Sequence, residues 1–182
     1  SNPTDMDVST DGSQAIVVAR GSNEVWTYDL EDPTQPAVVT QLPAEESFGS
    51  LQLTANDDVG ILFSTQSLDP RIGIWNRNDD NITVHGLVKP ISQVGVSPTG
   101  DTAILFHPFD EGNTDVSSPY YFKHALTLLD MNSHFSTAYQ LSARPKAFSS
   151  TPDGRVGFYI MENRPYLEVL DFETFVPTEV PL

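Results

Sequence analysis

Four stretches of the chain open on the same short phrase, and a polypeptide that repeats itself at a near-fixed interval folds as a stack of like units. The phrases are Val8-Ser9-Thr10-Asp11-Gly12, Leu53-Thr54-Ala55-Asn56-Asp57, Val96-Ser97-Pro98-Thr99-Gly100 and Ser150-Thr151-Pro152-Asp153-Gly154, with starts 45, 43 and 54 residues apart. An apolar run follows each: Ala15 to Ala19, Gly60 to Phe63, Thr102 to Phe106 and Val156 to Met161. A second run then ends on Asp29, Asn76, Asp130 or Asp171. Weaker fourth segments are Ala37 to Leu42, Ile82 to Leu87, Ser136 to Leu141 and Phe175 to Leu182.

The residues within the unit read as short antiparallel strands. Asp-Gly and Thr-Gly tolerate positive φ and so form tight turns. Val, Ile, Phe and Tyr suit pleated surfaces covered by a neighbouring sheet. Val25, Thr27 and Asp29 alternate with Trp26 and Tyr28, the period of a strand. The Asp or Asn closing each third run can bond nearby amides and start a turn. No sustained 3.6-residue apolar period occurs, and 14 prolines oppose one. A β-sandwich also has short strands, but it gives no reason to repeat one opening turn four times. The expected fold is therefore all-β: four antiparallel four-stranded β-propeller blades over about 5–48, 49–90, 91–143 and 144–182 of a single domain.

Two segments carry a resemblance. Ala15 through Asp29 resembles a blade of the bacterial surface propellers with Tyr-Val-Thr-Asn repeats, although Val17-Val18-Ala19-Arg20 stands where that core would be. Val96-Ser97-Pro98-Thr99-Gly100 is similar to the first strand of tryptophan–aspartate repeat propellers. The resemblance implies that ligands meet the face built by the loops between strands two and three and between blades.

Propellers close with four to eight blades, and an open arc would leave two apolar faces bare. The expected outcomes are a four-bladed ring, a pair of chains completing a ring of eight, or part of a larger propeller that self-associates. Ser1-Asn2 has the form of a protease scar, which favours the last and places any native targeting segment outside this chain.

Composition narrows the partners. Asp and Glu total 25 against 9 Lys plus Arg, a formal charge of −16. No basic stripe is present to contact phosphates, so nucleic acid is not expected as a partner and an anionic membrane surface is disfavoured; a basic protein or a cation is attracted, or the charge serves solubility alone. No run of about 18 apolar residues exists to form a membrane-spanning helix. Cysteine is absent, so there is neither a disulfide nor a thiol nucleophile. That composition fits an extracellular, periplasmic or cell-surface bacterial protein and also a cytosolic one.

The third unit holds the longest insertion, His107 through His124, and a long insertion on a rigid scaffold is where function tends to sit. His107 and His124 flank it at the ends of paired strands, so their rings could approach each other. With Asp110 or Glu111 they would supply N and O ligands for zinc or another divalent ion. The bland alternative is two rim residues beside a solvated acidic loop. No cofactor is expected otherwise. Tyr120, Tyr121 and Phe122, with Asp110 and Glu111, suit a partner-contact patch, while the three rings also suit packing onto their own blade. Asp7, Ser9 and Asp11-Gly12 loosely match a calcium loop, but Val18 holds the place of its bidentate Glu, and Asp11-Gly12 reads better as a turn. No nucleophile elbow or phosphate loop occurs. Asn81-Ile82-Thr83 is a glycosylation sequon, relevant only in a eukaryotic secretory setting. Lys89, Arg144 and Lys146 lie between units beside prolines, where they are either scattered surface cations or the lining of a channel mouth.

Two functions compete. One is a non-catalytic binding or structural module of an exported bacterial protein, meeting a protein partner or a second copy through exposed blade faces. The other is a channel-sited enzyme, lactonase-like or a metal-assisted hydrolase, whose site needs the complete ring. A superfold hosts many activities, so the fold does not choose between them.

Overall fold

The structure, a computed structural model, describes residues 2–66, 69–109 and 115–182. Sixteen strands succeed one another, and among the described residues no helix forms. The first sheet comprises β1 (Asp5–Val8), β2 (Gln14–Ala19), β3 (Glu24–Asp29) and β4 (Val38–Gln41). The second comprises β5 (Ser50–Leu53), β6 (Val59–Phe63), β7 (Arg71–Asn76) and β8 (Asn81–Gly86). The third holds β9 (Gln93–Val96), β10 (Thr102–His107), β11 (His124–Asp130) and β12 (Ser136–Leu141). The fourth holds β13 (Pro145–Ser150), β14 (Val156–Met161), β15 (Tyr166–Asp171) and β16 (Val176–Pro181). Every sheet is an antiparallel meander in chain order, the form of a propeller blade.

The repeated phrase is a turn with a hydroxyl at its base. Gly12, Asp57, Gly100 and Gly154 all have positive φ, and their amides donate to the carbonyls of Ser9, Thr54, Ser97 and Thr151 at 2.8–3.0 Å. Each of those hydroxyls then accepts the first amide of the next strand, from Gln14, Val59, Thr102 and Val156. The side chain two residues on, Asp11, Asn56, Thr99 or Asp153, bonds the same hydroxyl. The closing residues work as expected from sequence: Asp29, Asn76, Asp130 and Asp171 each accept an amide two residues ahead. Amides three residues ahead, from Ser133 and Thr174, join these and do most to hold the carboxyls of Asp130 and Asp171 below the usual range.

The chain forms two compact units, Ser1–Leu87 and Val88–Leu182, each of two sheets. In the first, Ile16, Val18 and Val25 of one sheet meet Leu51, Leu62 and Trp75 of the next. Asp5 and Asp7 bridge the first strands of those two sheets: their Oδ2 atoms accept the Leu51 and Leu53 amides at 2.9 and 3.0 Å. In the second unit, Ile104, Phe106 and Leu126 meet Tyr159, Met161 and Leu170. Fully burying one such side chain contributes about 1.5–3 kcal/mol, whereas a turn hydrogen bond contributes about 1. Face-to-face sheet packing therefore carries most of the stability of each unit, and the turns set its register.

Candidate binding site

At the end of β10 the chain leaves the third sheet and returns at β11, and the groups holding that excursion are buried. Lys89 is fully buried, and its Nζ donates to the carbonyls of Phe109 and Lys123, both at 2.7 Å. These carbonyls sit at the two feet of the insertion, so one ammonium clamps both. A buried ammonium is tolerated only where it is hydrogen-bonded, and here it is. Beside it His107 is buried, with Nδ1 2.8 Å from the Pro90 carbonyl and Nε2 2.7 Å from Thr127 Oγ1. A carbonyl only accepts, so Nδ1 carries the proton and Nε2 accepts from the threonine hydroxyl. Burial, with the Lys89 charge adding to it, holds the imidazole down to about 4 and therefore neutral.

His107 pairs with Ala125, and neighbours on a strand face opposite ways, so His124 projects to the other side of the sheet. The lone pair a metal would need on His107 Nε2 is already bonded to Thr127. Among the described residues no group of three His, Asp or Glu side chains is placed to hold a metal ion. Asp110 and Glu111 lie outside the described residues.

The aromatic triplet divides. Tyr120 is an anchor: its hydroxyl donates to the Ala138 carbonyl on β12 at 3.0 Å. Tyr121 is half-buried and meets Phe122 edge-on, with ring centroids 4.5 Å apart. Phe122 turns outward, 47% exposed, at a φ of 48°, a conformation that a bulky side chain rarely adopts. Its ring stands edge-on to Phe109, 5.9 Å away and 45% exposed, and Phe109 in turn lies 5.1 Å from the His124 ring. Phe109 was not singled out from the sequence. The available signal was an aromatic residue beside Pro108 in a polar insertion.

Below these rings a cleft of about 520 Å³ opens between the third and fourth sheets, lined among others by Gln93, His107, Phe109, His124 and Arg144. Its lining joins the end of β10 and the first residues of β9, β11 and β13 to Pro108 and Phe109 of the insertion and to Ser92 and Arg144 between blades. Arg144 is exposed there; Lys146 instead lies 3.8 Å from Glu162. A second cleft of about 550 Å³, at the opposite strand ends of these two sheets, is lined by Asp101, Asp130, Asp153, Asp171 and Arg155. Several of its carboxylates are already committed to the turns.

No family model matches the sequence, and no curated protein matches it. Among solved structures the chain is similar to hydrazine synthase of Kuenenia stuttgartiensis, with 14% identity and a TM-score of 0.62 over 99% of this chain and 54% of that one. It is also similar to a Bacteroides uniformis protein provisionally named a 6-phosphogluconolactonase, with 12% identity and a TM-score of 0.62 over 98% of this chain and 53% of that one. The chain spans about half the length of both. At such identities the likeness shows the fold alone, and that fold is β-propeller-like.

Proposed function

We propose that the chain is a non-catalytic β-propeller binding module that grips an apolar segment of a protein partner at the insertion of its third blade. The observation carrying this reading is the Phe109–Phe122 pair, two nearly half-exposed rings set edge-to-face on a loop clamped at both feet by Lys89. Rigid aromatic groups give contact area at little entropic cost, which is why they dominate interface hot spots. The formal charge of −16 favours partners with basic flanks by steering their approach. An exported or cell-surface setting goes with this role.

The test is a displayed-peptide selection against the chain, followed by binding measurements on a Phe109→Ala/Phe122→Gly variant. Glycine suits the positive φ at 122, so the variant keeps its fold. Selected peptides should lose about tenfold or more in affinity. Equal binding to the variant rejects the reading.

The cleft beneath favours a second reading, a site for a small anion, since Arg144 and His124 both line it. One structural neighbour is provisionally named a phosphorylated-sugar lactonase. Thermal shift and lactone hydrolysis with 6-phosphogluconolactone, with and without chelator, test it; no shift and no turnover remove it.

A further inference from the structure

We propose that the bare face of the first sheet is covered by the bare face of the fourth sheet of a second copy of this chain. The two faces match by register. Counting from the shared turn hydroxyls, Leu51, Leu53 and Leu62 of the second sheet occupy the places that Met6, Val8 and Val17 occupy in the first. Trp75, opposite Gly60, corresponds to Tyr28, opposite Ala15. In the second sheet these residues form the side packed on the sheet before it. In the first sheet the same positions are open: Met6 is 61% exposed where Leu51 is 5%. Trp26 and Val39, in register with Val17, extend that apolar face.

The fourth sheet carries the other half. Ile16, Val18 and Val25 form the side of the first sheet packed on the sheet that follows it, and Ile104, Phe106 and Leu126 do so in the third. Their counterparts in the fourth sheet are Phe158, Ile160 and Leu167, with Val169, Val176 and Val180 in register on the same side. Ile160 is 39% exposed where Val18 is 0%. The two open faces are thus the leading and trailing halves of a contact that both units already make internally. A partner that fits both is another copy of the chain, docked head to tail.

Size and charge set what such docking needs. A four-stranded face with five or six residues per strand covers roughly 350 Å². One contact then buries about 700 Å² over both partners, and two contacts about 1,400 Å², which only in the second case falls in the range of stable interfaces. Two copies that cover each other's faces therefore associate far more tightly than a single contact allows. Each copy carries −16, so added salt screens their repulsion and strengthens the association.

Sedimentation velocity over a broad concentration range tests this, with Trp26 emission as a second readout because that indole lies on the docked face while Trp75 is buried. The chain should associate with itself, more so in high salt, with Trp26 emission shifting to the blue. Met6→Glu and Ile160→Glu, both at exposed positions, should each weaken association by about tenfold or more. Mixing the two variants should restore part of it, because one contact then joins two intact faces. Circular dichroism confirms that each variant is folded. A chain that stays monomeric at all concentrations overturns the proposal, and so does self-association that Ile160→Glu leaves unchanged, the result expected if first sheets meet each other.

Discussion

Thr127 Oγ1 lies 2.7 Å from Nε2 of His107 and donates to a ring that burial keeps neutral. The imidazole titrates from 6.5 when unfolded down to about 4 when folded. Between these values the unfolded chain binds the proton and the folded one does not, so stability rises with pH across the window. The penalty is absent above 6.5, grows as pH falls and levels off below about 4 at roughly 3 kcal/mol. His107→Gln removes this dependence. In urea titrations the variant should lose about 2–3 kcal/mol less than the parent on going from neutral pH to about 4.5. Carboxylates that titrate in the same range contribute equally to both proteins and cancel. Parallel pH curves would show that His107 is not the buried titrating group.

Lys89→Met keeps the stem and deletes the ammonium that clamps Phe109 and Lys123. Hydrogen bonds from a charged donor contribute about 1.5–3 kcal/mol each, and the Phe109 and Lys123 carbonyls would be left without it. A loss of about 2–4 kcal/mol is expected in urea unfolding. Limited proteolysis should also cut the segment from 115 to 123 much faster. An insertion as resistant as the parent's would mean that the Tyr120 anchor alone holds it.

The strands and turns were legible because their chemistry is local. The hydroxyls of Ser9, Thr54, Ser97 and Thr151 reach partners within five residues, so the phrase itself encodes the turn. The candidate site was legible only in outline. Its location followed from the length of the insertion, but the face taken by each histidine depends on pairing across the excursion. His107 meets Ala125, and that single step sends His124 the other way. Lys89 clamps a residue 34 positions on, a contact that no local pattern announces. Asp7 shows the same limit. The calcium-loop frame drew attention to it, yet its Oδ2 accepts an amide from Leu53 in the next sheet.

Tyr159 and Glu168 face each other across β14 and β15, and the phenol donates to the carboxylate inside the interface between the third and fourth sheets. Desolvation raises the Glu168 carboxyl above its ordinary 4.5, while the Tyr159 bond opposes the rise. A raised carboxyl costs stability while ionised, and the cost is relieved as pH falls through the folded value. Tyr159→Phe removes the donor and raises that value further. The variant should therefore lose about 1–3 kcal/mol near pH 8 and clearly less near pH 5. A loss independent of pH would assign the effect to packing.

Gly157 is where β14 passes under the buried ring of Phe172 and the half-buried ring of Phe148. A methyl group there would sit 2.4 Å from Phe172 Cζ and 3.0 Å from Phe148 Cε2, closer than carbon atoms approach without displacement. Both rings belong to the packing around the fourth sheet, so neither moves without disturbing its neighbours. Alanine favours a strand over glycine by roughly 0.5–1 kcal/mol, but overpacking of this kind costs about 1–3. Gly157→Ala should thus be destabilised by about 1–2 kcal/mol in urea unfolding. Phe172→Leu, which shortens the nearer ring, should cost stability alone yet recover part of the alanine penalty in the double variant. Strict additivity would place the strain elsewhere, since residues in direct contact couple by about 0.5–3 kcal/mol.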